Sequence, residues 1–270
     1  VKHAAVRALL GLVLGGLAAP DVGAQSSPAP GGRPTPAPVP FEVGEAFTYD
    51  VRFGAIKVGT GRMRVLGREP IRGRDTWRVR FNVSGGTFFY KVNDTYESWM
   101  DVETLNALQY VQDLNQGSRD RQRTFEMFPE RSTYRELERG GEERPSVPNP
   151  LDDGSFFFFV RTVPLEVGKT YTFNRYFRPD RNPVIIRVLR RERVKVPAGT
   201  FDAIVLQPII KTSGIFSEGG QAEIWLTDDD KKMMLQMKSR LSFGSLNLYL
   251  RSYRFTAVQP DPEPEPDSIP

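Results

Sequence analysis

Trp77-Arg78-Val79-Arg80-Phe81-Asn82-Val83 places apolar side chains at every second position with polar ones between them. The same alternation runs through Phe47, Tyr49, Val51 and Phe53, through Ile204 and Leu206, and through Leu246, Leu248 and Leu250. Successive side chains of a strand point to opposite faces, so a period of two marks antiparallel strands with one buried and one wet face. Turn chemistry separates the runs: Arg72-Gly73-Arg74-Asp75, Gly85-Gly86, Gly140-Gly141, Pro197-Ala198-Gly199-Thr200 and Gly219-Gly220. Helical periodicity is nearly absent. The exception lies at 152–161 (DDGSFFFFVR), where Asp152 or Asp153 can cap a short helix with buried aromatics. A strand over Phe156–Val160 stays open, because a short apolar run fits either period. The predicted fold class is all-β.

The alternating block also resembles itself. Glu42-Val43-Gly44 with Phe47-Thr48-Tyr49-Asp50 recurs as Glu166-Val167-Gly168 with Tyr171-Thr172-Phe173-Asn174. Arg64-Val65-Leu66 with Arg68-Glu69 recurs as Arg187-Val188-Leu189 with Arg191-Glu192, and Gly73 with Trp77 and Val79 loosely matches Gly199 with Phe201, Ala203 and Val205. Trp99-Met100 before Leu108-Gln109 recurs as Trp225-Leu226 before Leu235-Gln236. Four matches in one order indicate two tandem meander repeats, about 41–140 and 165–256, joined by the connector 141–164. Each meander has one apolar face to cover. The two can stack as a sandwich, or join edge to edge into a strongly curved antiparallel sheet or open β-barrel. In the second case the Phe156–Phe159 run is placed to plug the open side of the bend.

The ends have another composition. Lys2, His3 and Arg7 precede the apolar stretch Ala8–Ala19, and Val22-Gly23-Ala24 supplies small side chains before Gln25. This is the pattern of a signal peptide over 1–24, cleaved after Ala24, and it predicts a periplasmic location. With no cysteine in the chain, no acylated N-terminal Cys is available, which argues against a lipoprotein. Residues 25–40 are a Pro-rich linker and 259–270 an acidic Pro-rich tail, both expected to be disordered. The single β domain is then 41–258, with no later stretch long enough for a membrane helix.

Composition removes several chemistries. The only histidine, His3, leaves with the signal, and cysteine is absent. Ser-His-Asp and Cys-His nucleophilic sites, thiol chemistry and most zinc or iron sites go with them. The glycines of 54–61 (GAIKVGTG) read as a turn-rich strand pair rather than a phosphate loop, since no helix follows. No cofactor is implied and no catalytic residue is assigned. Carboxylates remain: Glu97, Asp101, Asp113 and Glu223 are available for a glycan-type acid pair, but no spacing pairs them. Asp228 and Asp229 are weak candidates for a hard cation; a hairpin turn between strands 222–227 and 232–242 is the preferred reading. Trp99 and Trp225, at equivalent repeat positions, are core residues or, on the sharper reading, ligand-stacking ones together with Phe156, Phe157, Phe158 and Phe159. The chain carries a net charge of +4, with basic clusters at Arg119–Arg123 and Arg187–Lys195. In an exported protein this speaks for anionic envelope headgroups rather than nucleic acid, with arginines on the wet face of strands the simpler reading.

Tyr49-Asp50-Val51 followed by Ile56-Lys57-Val58-Gly59 resembles the opening of the bacterial DUF3108 family. Arg161-Thr162-Val163-Pro164-Leu165 with Val167-Gly168, Val196-Pro197-Ala198-Gly199-Thr200-Phe201, Trp225-Leu226-Thr227-Asp228-Asp229 and Phe243-Gly244-Ser245 extend the resemblance over about 41–256. Met233-Met234 stands where relatives carry a proline soon after the Asp pair, which puts the local turn geometry in question. The resemblance implies an exported β protein and brings no functional residues with it, the family being of unknown function. Two expectations follow from residues and resemblance together. The first is a non-enzymatic protein that binds an amphipathic envelope component, such as a lipid, or an envelope protein. The alternatives are a carboxylate-dependent glycan enzyme and a purely structural or assembly module. Oligomeric state is not encoded in any of these features.

Overall fold

The computed structural model describes residues 38–87, 90–210, 222–241 and 244–255. The stretches expected to be a signal peptide and a tail, most of the expected linker and the expected Gly219-Gly220 turn lie outside the described residues. The first half forms β1 (Ala46–Phe53), β2 (Ile56–Ile71), β3 (Arg74–Thr87), β4 (Tyr90–Asp101), β5 (Ala107–Gln116), β6 (Arg119–Phe128), β7 (Thr133–Glu136) and β8 (Glu143–Pro145). A short helix, α1 (Ser155–Phe159), follows. The second half forms β9 (Thr170–Phe173), β10 (Val184–Val196), β11 (Gly199–Ile209), β12 (Glu223–Thr227), β13 (Met234–Leu241) and β14 (Gly244–Arg254).

All of these strands belong to one 14-stranded sheet in the order β8-β7-β6-β5-β4-β3-β2-β1-β14-β13-β12-β11-β10-β9. The halves therefore join edge to edge, through the antiparallel β1–β14 pair, and not as a sandwich. The ladder does not close: β8 and β9 remain its two edges. An open edge presents unpaired N–H and C=O groups, and the connector meets this need irregularly. Arg175 C=O accepts from Leu151 N–H (2.5 Å), Leu151 C=O from Phe177 N–H (2.9 Å), and Phe177 C=O from the Ser146 hydroxyl (2.7 Å). The Phe177 ring crosses the seam to Phe125 and Tyr134, with centroids 5.2 and 5.1 Å apart.

The internal repeat is visible in backbone geometry. The β2–β3 register shifts between Val65 and Gly67, and the β10–β11 register shifts between Val188 and Arg190, placing Leu66 and Leu189 in equivalent bulges. Further shifts fall between Trp99 and Met100 and between Trp225 and Leu226. Gly44 N–H donates to Val65 C=O and Gly168 N–H to Val188 C=O, both at 2.9 Å. Val102 N–H donates to Asp75 C=O (3.1 Å) as Asp228 N–H does to Asp202 C=O (3.0 Å). A bulge bends its strand and increases the local twist, so bulges at matched positions curve both halves in the same sense. β7 and β8 extend the first half to one edge of the sheet, and α1 lies in the connector between the halves.

Asp152 decides between helix and strand for the aromatic run. Its Oδ1 accepts the N–H groups of Gly154 and Ser155, both at 2.8 Å, and so satisfies the first turn of α1. Phe156, Phe158 and Phe159 are buried and Phe157 half-buried, because α1 lies against the concave face of the sheet. Phe158 packs on Phe41 (5.3 Å), Phe159 on Phe173 (5.1 Å) and Phe157 on Phe81 (6.2 Å). Each buried ring contributes about 2–3 kcal/mol of hydrophobic stabilisation.

One expected turn is corrected. Gly85-Gly86 is not a chain reversal but part of β3, paired with Val92 and Lys91. The pair is needed for a close approach: a Cβ on Gly85 would lie 2.2 Å from Val58 O and 2.4 Å from Gly59 Cα. Gly59, within the stretch expected to be a turn-rich strand pair, is the facing residue in β2. Gly85→Ala must push β2 and β3 apart, and we expect it to cost about 2 kcal/mol. Urea unfolding measures this; an unchanged midpoint would show that the two strands yield freely.

Candidate functional site

On the outer face each half builds the same charged cover over a tryptophan. Trp99 Nε1–H donates to Glu69 (3.0 Å) and Trp225 Nε1–H to Glu192 (2.5 Å). Arg78 lies over Trp99 and binds Glu69 and Glu97; Arg190 lies over Trp225 and binds Glu192 and Glu223. Both indoles are buried under these groups. The carboxylates named from the sequence are likewise dispersed. Glu97 and Glu223 serve these covers, Asp101 accepts the Glu103 and Thr104 N–H groups, and Asp113 accepts from Asn115. Asp228 binds Arg191 at 2.7 Å, while Asp229 Oδ1 accepts from the Thr227 hydroxyl and the N–H groups of Lys231 and Lys232. The Asp run is thus a hairpin turn between β12 and β13. Among the described residues no cluster of three metal-ligating side chains occurs.

The concave side brings together residues that the sequence reading did not join. Asp153, one residue before the N-cap of α1, accepts the Tyr110 hydroxyl from β5 (3.1 Å) and the Tyr176 hydroxyl from the β9–β10 connection (2.8 Å). Gln112 donates to the Tyr110 oxygen and Arg181 to the Tyr176 oxygen, each at 3.0 Å. Burial pushes both phenols well above their ordinary pKa, and the Asp153 charge adds to it. Asp152 is fully buried beside them. Ser98 donates to its Oδ1 at 2.6 Å, whereas its Oδ2 has no partner among the described groups. Burial raises this carboxyl to about 7; the hydrogen bonds from Ser155, Ser98 and Gly154 oppose the rise, and the Asp153 charge assists it.

Solvent reaches this interior from one end. Inward-facing Tyr49, Met63, Val65 and Val79 are buried, but towards the β1–β2 turn the inward positions Val58, Val83, Tyr96, Gln112 and Leu114 are only half-buried. Asp153 is exposed although its two tyrosine partners are buried. Tyr96 stacks on Phe81 at 6.4 Å, and Phe81 meets Phe157 of α1 at 6.2 Å, which makes an aromatic floor below the opening. The opposite end is shut by the segment around Phe41 and by Arg161, which binds Glu45 and the carbonyls of Pro40 and Lys231. The only hint of this arrangement in the sequence is the acid pair abutting an aromatic run; Tyr110 and Tyr176 carry no signal. Chemically, the site offers an apolar floor beside an accessible carboxylate and a guanidinium. Its one near-neutral carboxyl lies out of reach beneath the helix.

No helix among the described residues is long and apolar enough to cross a membrane. No curated protein matches the chain. At the level of fold it is similar to a crystallised β-barrel-like protein of the DUF1849 domain of unknown function from Brucella abortus. That match has 10% identity and a TM-score of 0.55 over 82% of this chain and 100% of the other. A hypothetical protein from Chlamydia trachomatis matches at 8% identity and a TM-score of 0.38, over 81% of this chain and 90% of its own. The family model described as "Protein of unknown function (DUF3108)" matches residues 48–251, which span the sheet from β1 to β14, and the chain accordingly belongs to the DUF3108 family.

Proposed function

We propose that this protein is an exported, non-enzymatic binding module of the cell envelope, which holds the apolar part of an amphipathic molecule in the open end of its bent sheet. The leader ending at Ala24 supports export to the periplasm, and the region 41–258 acts as one unit behind its Pro-rich linker. The observation that carries the reading is the exposure of Asp153 inside the concavity, beside the half-buried floor of Phe81, Tyr96 and Phe157. Sites for small molecules are concave, mostly apolar and furnished with a few convergent polar groups, and this end of the sheet has that character. A glycan-cleaving role has less support: of the acids on this part of the concave face Asp94 and Asp152 are buried and Asp153 is the exposed one, and two carboxyls must face the bond to be cut.

Titration of the processed protein with a dansylated fatty acid tests the proposal. Saturable binding is expected, and Val83→Glu, which sets a charge beside the floor, should weaken it by about tenfold or more, because a charge buried against an apolar ligand is unpaired. Trp99→Phe on the outer face should leave it unchanged. Absence of saturable binding, or equal effects of the two substitutions, would overturn the reading.

A further inference from the structure

The antiparallel ladder sends alternate turns to the same end, so the β1–β2 turn and the β5–β6 turn stand at the rim of the open end. The β1–β2 turn is Phe53-Gly54-Ala55-Ile56. Ile56 is 70% exposed and Phe53 40% exposed. Pairing of β2 with β3 begins at Gly59, so Ile56 and Lys57 are laddered only to β1, while Phe53 of β1 also pairs with Leu246 of β14. Ile56 is neither in the core nor packed against it, so burial does not account for an isoleucine at this place.

The charges beside the tip are one-sided. Lys57, Arg251 and Arg52 converge on the single carboxylate of Asp50, at 2.7, 3.2 and 4.0 Å. Three cations around one acid leave a positive surplus directly behind the apolar tip. On the same rim Lys91, Arg119 and Arg121 are exposed, with Asp120 the acid between the two arginines. Protruding aliphatic and aromatic side chains flanked by cations match an anionic bilayer surface, where the apolar groups enter the headgroup–acyl boundary and the cations meet headgroups. A protein partner would equally cover the apolar tip but gives no account of the surrounding cationic rim. We propose that the β1–β2 turn is a membrane-docking element, which seats the open end of the sheet on an anionic lipid surface. Docking does not depend on ligand uptake at that end, and each can fail without the other.

Flotation of the processed protein with vesicles of phosphatidylcholine alone, or with about one third phosphatidylglycerol, reads the docking directly. Binding is expected to the anionic vesicles only, and to weaken as salt is raised through the range in which the Debye length falls below about 8 Å. Ile56→Glu should reduce partitioning by about tenfold or more, since it removes the inserted group and adds a repelled charge. Arg119→Ser and Arg121→Ser should each reduce it roughly fivefold, the weight of one cation near an anionic surface. Ile56 is mostly solvent-exposed, so circular dichroism of Ile56→Glu should match that of the parent protein. Equal binding to both vesicle types, no binding to either, or full binding by Ile56→Glu would overturn the proposal. Fatty-acid titration of Ile56→Glu separates the two readings, because it should retain the pocket affinity while losing the vesicles.

Discussion

Arg161→Met is expected to destabilise the protein by about 3–5 kcal/mol, and adding Glu45→Leu is expected to recover most of that loss. Arg161 and Glu45 are each 1% exposed. The guanidinium meets both carboxylate oxygens, Nη1 to Oε1 at 2.5 Å and Nη2 to Oε2 at 2.9 Å. It also donates to Lys231 C=O and Pro40 C=O, and lies within 5.6 Å of the ring centroids of Phe41 and Phe47. The pair thereby ties the end of α1 to the entry of β1 and to the β12–β13 turn. Lys232 adds to the same junction by donating to Arg161 C=O and Val163 C=O. Removing the cation alone leaves the Glu45 carboxylate in a dry interior with no compensation. Removing both charges lifts that penalty, and the aromatic surroundings accept Met and Leu. Urea unfolding of the two single variants and the double variant measures the coupling. Additive losses would show that water reaches the pair and that the end is not sealed.

Asp152→Asn is expected to raise stability at pH 8 and to lose that advantage by pH 4. The folded carboxyl is raised to about 7 from an ordinary value of 3.8, chiefly by burial. Below the ordinary value both folded and unfolded chains hold the proton, and the group contributes nothing adverse. Between the two values the unfolded chain gives up its proton while the folded chain keeps it, so stability falls as pH rises. Above about 7 the full penalty is in place, on the order of 2–4 kcal/mol at 1.36 kcal/mol per pH unit with some relief from local rearrangement. Asn keeps an oxygen to accept from Ser98, Gly154 and Ser155 and does not ionise. Thermal melts of both proteins at pH 4, 6 and 8 give the comparison. A constant difference between the melts across that range would mean that Asp152 is ionised in the fold throughout, its charge met by groups from the solvent side.

Several elements are legible in the order of the residues alone. Trp77 to Val83 is a strand with Val79 in the core and Arg78 and Arg80 outside, as alternation requires. Leu66 and Leu189, matched as letters, are matched bulges. The aromatic run forms the short helix on the concave face. Gly85-Gly86 misleads because a glycine pair marks either a reversal or a close approach, and only the facing Gly59 distinguishes them. Trp99 and Trp225 match each other in sequence, but their surroundings are not visible there. Whether an indole stacks on a ligand or lies under Arg78 or Arg190 depends on which strand is its neighbour.

What the sequence determined by itself is local or periodic: strands from the period of two, an acid pair ahead of the short helix, and the tandem pattern from letters that recur about one repeat apart. Each of these is a property of a few adjacent residues or of a comparison along one chain. Only the tertiary structure decided that β1 pairs with β14, that the ladder stops at β8 and β9, and that Asp153 meets Tyr110 and Tyr176 at an open end. Those outcomes depend on register and on which edges find each other. Register is set by the combined packing of many strands, and it brings together residues that lie far apart along the chain.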